Sequence, residues 1–92
     1  MQNVLAGYNL TIEKNLLNAN ANIHFTTLHT CKITIRVLNQ NENIKLLTNE
    51  VVNKGKHTVL FNYCCMPEGI YNIILLAETE TTIDKETVII QI

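Results

Sequence analysis

The stretch Pro67-Glu68-Gly69-Ile70-Tyr71-Asn72-Ile73-Ile74-Leu75-Leu76 limits the fold of this chain more than any other. Pro67 has no backbone N–H to give, so a strand through this segment begins no earlier than about Glu68. Beyond Gly69, the residues Tyr71, Ile73, Leu75 and Ala77 fall on one face, and Ile70, Ile74 and Leu76 on the other. Both faces are apolar, which is the pattern of a central strand with the other segments packed around it.

Ninety-two residues supply one compact core and not two. With 47% hydrophobic residues, 5% aromatic and no Trp, that core must be built from Ile, Val and Leu, and β-branched side chains favour strands. Seven Lys and Arg stand against eight Asp and Glu. No basic stripe appears, so a nucleic-acid partner is not expected. The longest apolar run, Ile73 to Ala77, is too short to insert into a bilayer. Met1-Gln2-Asn3-Val4-Leu5-Ala6-Gly7 lacks the basic start and apolar middle of a signal peptide. A cytoplasmic location is expected if Met1 is the native start, and a secreted or cell-surface one if the chain is a fragment of a larger cargo.

Residues 1–9 read as a loose lead-in to a single domain over 10–92. Tyr8 to Glu13 alternates as a short first strand, with Tyr8, Leu10 and Ile12 on one face. Lys14 to Ala21 contains Asn15, Asn18 and Asn20 and reads as a loop, with Leu16 and Leu17 plugging that end of the core. A second strand, Asn22 to Leu28, turns Ile23 and Phe25 inward and His24 and Thr26 outward. The third, Cys31 to Leu38, sets Ile33, Ile35 and Val37 against Lys32, Thr34 and Arg36 in the cleanest alternation of the chain. Ile44 to Val52 follows, its alternation broken near Asn49 by a bulge or a crossover between sheets. Lys56 to Asn62, the central strand and Ile83 to Ile92 complete the set. Seven short strands with turns at near-regular spacing predict an all-β, two-sheet sandwich.

The candidate chemistry is sparse. His29, Cys31, Cys64 and Cys65 are the residue types of a tetrahedral zinc shell. In a sandwich, however, the His29–Cys31 link and the Cys64-Cys65 corner lie at opposite ends, roughly 20 Å apart across a strand of about seven residues. No metal is therefore expected, and the same gap disfavours a disulfide from Cys31. His57 alternates with Val59 and Phe61 and reads as a strand-end histidine. His24 lies on a polar face with no Ser or Cys placed beside it, and the chain has no serine at all. Glu78, Glu80, Asp84 and Glu86 crowd the last turn as a solvated rim. Gly55-Lys56 lacks the other features of a phosphate loop, and the sequon Asn9-Leu10-Thr11 has meaning only in a glycosylating compartment. No catalytic residues and no cofactor are expected, and the chain is not read as an enzyme.

Ala21 to Leu28, Cys31 to Asn39, Glu42 with Ile44 to Leu47, Lys54 to Asn62, Pro67 to Tyr71 and Lys85 to Ile92 together form a recognisable order. It resembles the C-terminal sorting domain of type IX secretion cargo and the immunoglobulin-like domain of the flagellar hook-capping protein, which shares that fold. Gly55-Lys56-His57-Thr58-Val59-Leu60-Phe61 and Gly69-Ile70-Tyr71, similar to the family's Gly-x-Tyr signature, carry most of the likeness. Leu17 and Ala19 stand where the family's entry segment has prolines. The resemblance implies an immunoglobulin-like sandwich and a non-enzymatic module recognised by export machinery, with Gly69, Tyr71 and Lys85 as its sorting-motif-like residues. Independently of the label, Gly69 is expected to supply a special backbone geometry or a close approach, and Tyr71 to bury its ring and send its hydroxyl to a backbone acceptor near the corner. The alternative is a stand-alone structural protein that assembles with copies of itself through sheet edges. Its candidate edge strand is marked by Val88, Ile90 and Ile92.

Overall fold

The computed structural model describes residues 9–15, 17–39, 43–64 and 66–92, and of residues 43 and 44 only the backbone. The described residues form seven strands: β1 (Thr11–Asn15), β2 (Asn20–Thr27), β3 (Cys31–Leu38), β4 (Asn43–Val52), β5 (Gly55–Asn62), β6 (Ile70–Glu78) and β7 (Ile83–Gln91). A three-stranded sheet has the order β1-β2-β5, and a four-stranded sheet the order β4-β3-β6-β7. All pairings are antiparallel. The chain passes between the sheets after β2, after β4 and after β5, which makes a two-sheet β-sandwich with β4 beside β3 and not beside β5.

The period-two pattern explains the core. Ile23 and Phe61 from one sheet and Ile33, Ile35, Val37, Ile73 and Leu75 from the other are almost wholly buried. β3 and β6 lie in the middle of the larger sheet, in register from Lys32↔Glu78 to Leu38↔Asn72. Their inward residues share one core with those of the smaller sheet.

The first hairpin departs from the expected loop. Lys14 and Asn15 extend β1 and pair with Ala21 and Asn20 of β2. The turn between them is tight: the Leu17 N–H donates to Asn15 Oδ1 (3.0 Å), and Ala19 adopts a positive φ of 53°. Leu17 does not plug the core, because it sits at the tip of that turn and is 93% exposed. Leu16, Tyr8 and nearly all of the expected lead-in lie outside the described residues. The irregularity expected near Asn49 falls further along the strand toward its start. Register shifts between Ile35 and Arg36, and between Val37 and Leu38, leave residues 47 and 44 of β4 as the extra ones.

Candidate functional site

Gly69 and Tyr71 build the corner through which the chain enters β6. Gly69 has φ +151°, a backbone conformation that side chains disfavour, and it exchanges both hydrogen bonds with Ile92 (3.0 and 2.8 Å). Geometry alone accounts for this glycine, because a Cβ there would meet nothing within 4 Å. The ring of Tyr71 is buried and its hydroxyl donates to the Pro67 carbonyl at 2.7 Å, the tyrosine-corner arrangement at the entrance to a strand. Lys85, by contrast, is exposed on β7 opposite Leu76, on a different part of the surface. The φ of 53° at Ala19 is one that proline cannot adopt.

The outward faces of the two sheets differ sharply. On the three-stranded sheet the cross-strand rows run Thr11–His24–Thr58, Glu13–Asn22–Leu60 and Asn15–Asn20–Asn62. On the four-stranded sheet they run Val51–Lys32–Glu78–Ile83, Asn49–Thr34–Leu76–Lys85 and Leu46–Arg36–Ile74–Thr87, with Ile89 and Ile70 beyond. Seven large apolar side chains are exposed among the described residues, and five of them belong to this second face: Leu46, Val51, Ile70, Ile83 and Ile89, each 51–69% exposed. Ile74 and Leu76, half-buried on β6, lie diagonally beside Ile89 and Ile83 of β7, whereas Lys32, Thr34 and Arg36 of β3 stand between them and Leu46 and Val51. Scattered apolar residues are ordinary on a protein surface, whereas a contiguous cluster on one sheet face marks a contact site. Sequence reading found the apolarity of both faces of β6 but took it for burial on both sides.

β7 is an edge strand, and its register with β6 runs without a shift from Ile70↔Gln91 to Glu78↔Ile83. Because Gly69 and Ile92 form a hydrogen-bonded pair, the alternation of an antiparallel ladder turns the backbone groups of Gln91, Ile89, Thr87, Lys85 and Ile83 toward the open edge. Lys14 Nζ donates to the Gln91 carbonyl there. The residues that marked this strand do not face outward: Ile90 is buried and Val88 and Ile92 pack against the core. An outward contact of β7 is therefore made by its backbone and by Ile83, Lys85, Thr87 and Ile89.

His57 closes one end of the sandwich. Its Nε2–H donates to the Asn53 carbonyl at 2.7 Å, the same carbonyl takes the hydroxyl of buried Thr27 at 3.0 Å, and the imidazole leans on Phe25 at 5.3 Å. His24 has a neighbour that the search for Ser or Cys missed, because the β2–β5 register places Thr58 opposite it. The Thr58 hydroxyl lies 3.0 Å from His24 Nδ1, and Glu13 Oε1 lies 3.4 Å from Nε2. A hydroxyl, an imidazole and a carboxylate in this order can polarise one another. They do so in the open, with the side chains of His24 and Glu13 exposed by 40% and 73%, beside a shallow groove of about 400 Å³.

The cysteines lie as the topology demands. Cys31 is buried where β3 begins, and Cys64 is exposed just past β5, at the other end of the sandwich. Cys65 lies outside the described residues. Among the described residues no three His, Cys, Asp or Glu side chains come together as metal ligands. The carboxylates near the last turn are divided: Glu78 lies on the outer face, while Asp84 and Glu86 stand opposite core-facing Ala77 and Leu75. No family model, curated protein or solved structure matches the chain.

Proposed function

We propose that this domain is a non-enzymatic protein-recognition module that docks a partner on the outward face of its four-stranded sheet. The observation that carries the reading is the group of exposed Ile70, Ile83 and Ile89 beside Ile74 and Leu76 on β6 and β7, on a face that no other part of the described chain covers. Folding gains little from apolar side chains left in water, while association gains roughly 25 cal/mol for each Å² of apolar surface removed from it. The likeness of Gly55–Phe61 and Gly69-Ile70-Tyr71 to the type IX sorting domain supports a specific form of the reading, in which the module tags a cargo for export to the cell surface. The test is a reporter protein fused ahead of the domain in a type IX-secreting bacterium. Export is expected for the native domain and loss of export for an Ile83→Lys, Ile89→Lys double variant that still folds. A reporter retained in both cases would sink the sorting form.

A second reading rests on a different observation, the long, shift-free edge of β7. Unpaired backbone groups on such an edge accept another strand, and a copy of the chain offers one. Light scattering across a wide concentration range with reductant present tests it. A defined oligomer that a Thr87→Pro variant dissolves without unfolding supports assembly, and a monomer at every concentration rules it out.

A further inference from the structure

We propose that the outward face of the four-stranded sheet takes an acidic, apolar protein segment. This rests on the reading above that the face docks a protein, and it adds the chemistry of the partner. Among the described residues the charges on the face are uneven: Lys32, Arg36 and Lys85 stand against Glu78, although the chain as a whole has a formal net charge of −1. Lys32 lies directly opposite Glu78, so the uncompensated cations are Arg36 and Lys85. Arg36 stands opposite Ile74 and Lys85 opposite Leu76, on either side of the strand that carries the centre of the patch.

That arrangement selects among occupants. A segment with apolar side chains over Ile74 and Leu76 brings its flanking carboxylates to the two cations, and the Arg36 guanidinium is built to take a carboxylate through two parallel hydrogen bonds. A second copy stacked face to face sets Arg36 and Lys85 against cations of its own, and like charges in a closed interface oppose association. An anionic membrane is a poor fit as well. Recognition of such surfaces uses clusters of about four to eight basic residues, and this face has three within a chain of net negative charge.

The test is an amide-resolved NMR titration of the isotope-labelled chain with three probes: a random Glu–Tyr copolymer, a Lys–Tyr copolymer and phosphatidylserine vesicles. The Glu–Tyr copolymer is expected to shift outward positions of β3, β6 and β7, with binding at least tenfold weaker in an Arg36→Glu, Lys85→Glu variant and in 0.5 M salt. The milder Arg36→Gln, Lys85→Gln pair is expected to weaken binding in the same direction, and it serves if the reversed pair disturbs the fold. Equal binding of both copolymers at this face would overturn the acidic partner and leave the recognition reading standing. Binding to vesicles alone would replace the protein partner with a membrane. Shifts confined to β1, β2 and β5, or none with any probe, would overturn the proposal.

Discussion

On the three-stranded sheet the outward positions of β2 are Asn20, Asn22, His24 and Thr26, whereas on the four-stranded sheet those of β6 are Ile70, Asn72, Ile74, Leu76 and Glu78. The two strands hold equivalent places, each paired on both sides. Their inward residues are alike, with Ile23 and Phe25 matching Ile73 and Leu75 in burial. The fold therefore demands the same of both strands on the inside and nothing of either on the outside. The polar face meets water with hydroxyl, amide and imidazole groups, some bonded to one another, as His24 is to Thr58. The apolar face has no such use for its side chains within the domain. What the folded monomer does not require is where a function is to be sought.

The comparison breaks if the outward residues of β6 turn out to be core in disguise. Leu75→Ala is expected to destabilise the domain by about 3 kcal/mol in urea unfolding, since it empties a fully buried site. Ile74→Ala, one residue away on the half-exposed side, is expected to cost about 1 kcal/mol or less. Equal losses would make the outer face structural. Tyr71→Phe tests the corner that connects the two sheets. Removal of its hydroxyl from the Pro67 carbonyl is expected to cost about 1 kcal/mol, the acceptor being exposed enough to take water instead.

A smaller effect of opposite sign is expected on the three-stranded sheet. Ala19→Gly relieves a side chain held at φ 53° and should stabilise by about 0.5–1 kcal/mol, seen as a higher urea midpoint at unchanged slope. A fall in the midpoint would mean that the turn is held differently. Least of all, Leu60→Lys and Ile89→Lys should each change stability by no more than about 0.5 kcal/mol, because both side chains stand in water. Partner binding should separate them: lost with Ile89→Lys and kept with Leu60→Lys.

Sequence patterns carried much of this architecture because one face of each strand had to be apolar. β3 was legible in its bounds and its inward residues, although Thr34, read on the wet face, is buried, and Tyr71 was legible down to its hydroxyl. Where local rules competed, the reading failed. Asn15, Asn18 and Asn20 suggested a long loop, yet Asn15 and Asn20 pair in the hairpin, and the turn is closed by a non-glycine residue at positive φ that no pattern announces. Residues 44 and 47 show that a bulge depends on how two strands match, and one strand alone does not reveal it. The Thr58–His24–Glu13 group was hidden for the same reason, since register brings Thr58 to His24 across 34 residues of sequence. The apolar face was visible as composition, but without the sheet order it could not be told from a second buried side.

The most direct measurement is site-specific photo-crosslinking in the native cell, with a photoreactive phenylalanine analogue at position 89 or, for comparison, at position 60. Both positions are exposed and apolar, on opposite sides of the sandwich. A discrete cross-linked partner from position 89 and none from position 60 is the result expected of a recognition face on the four-stranded sheet. Cross-links from position 60 alone, or from neither position, would contradict it.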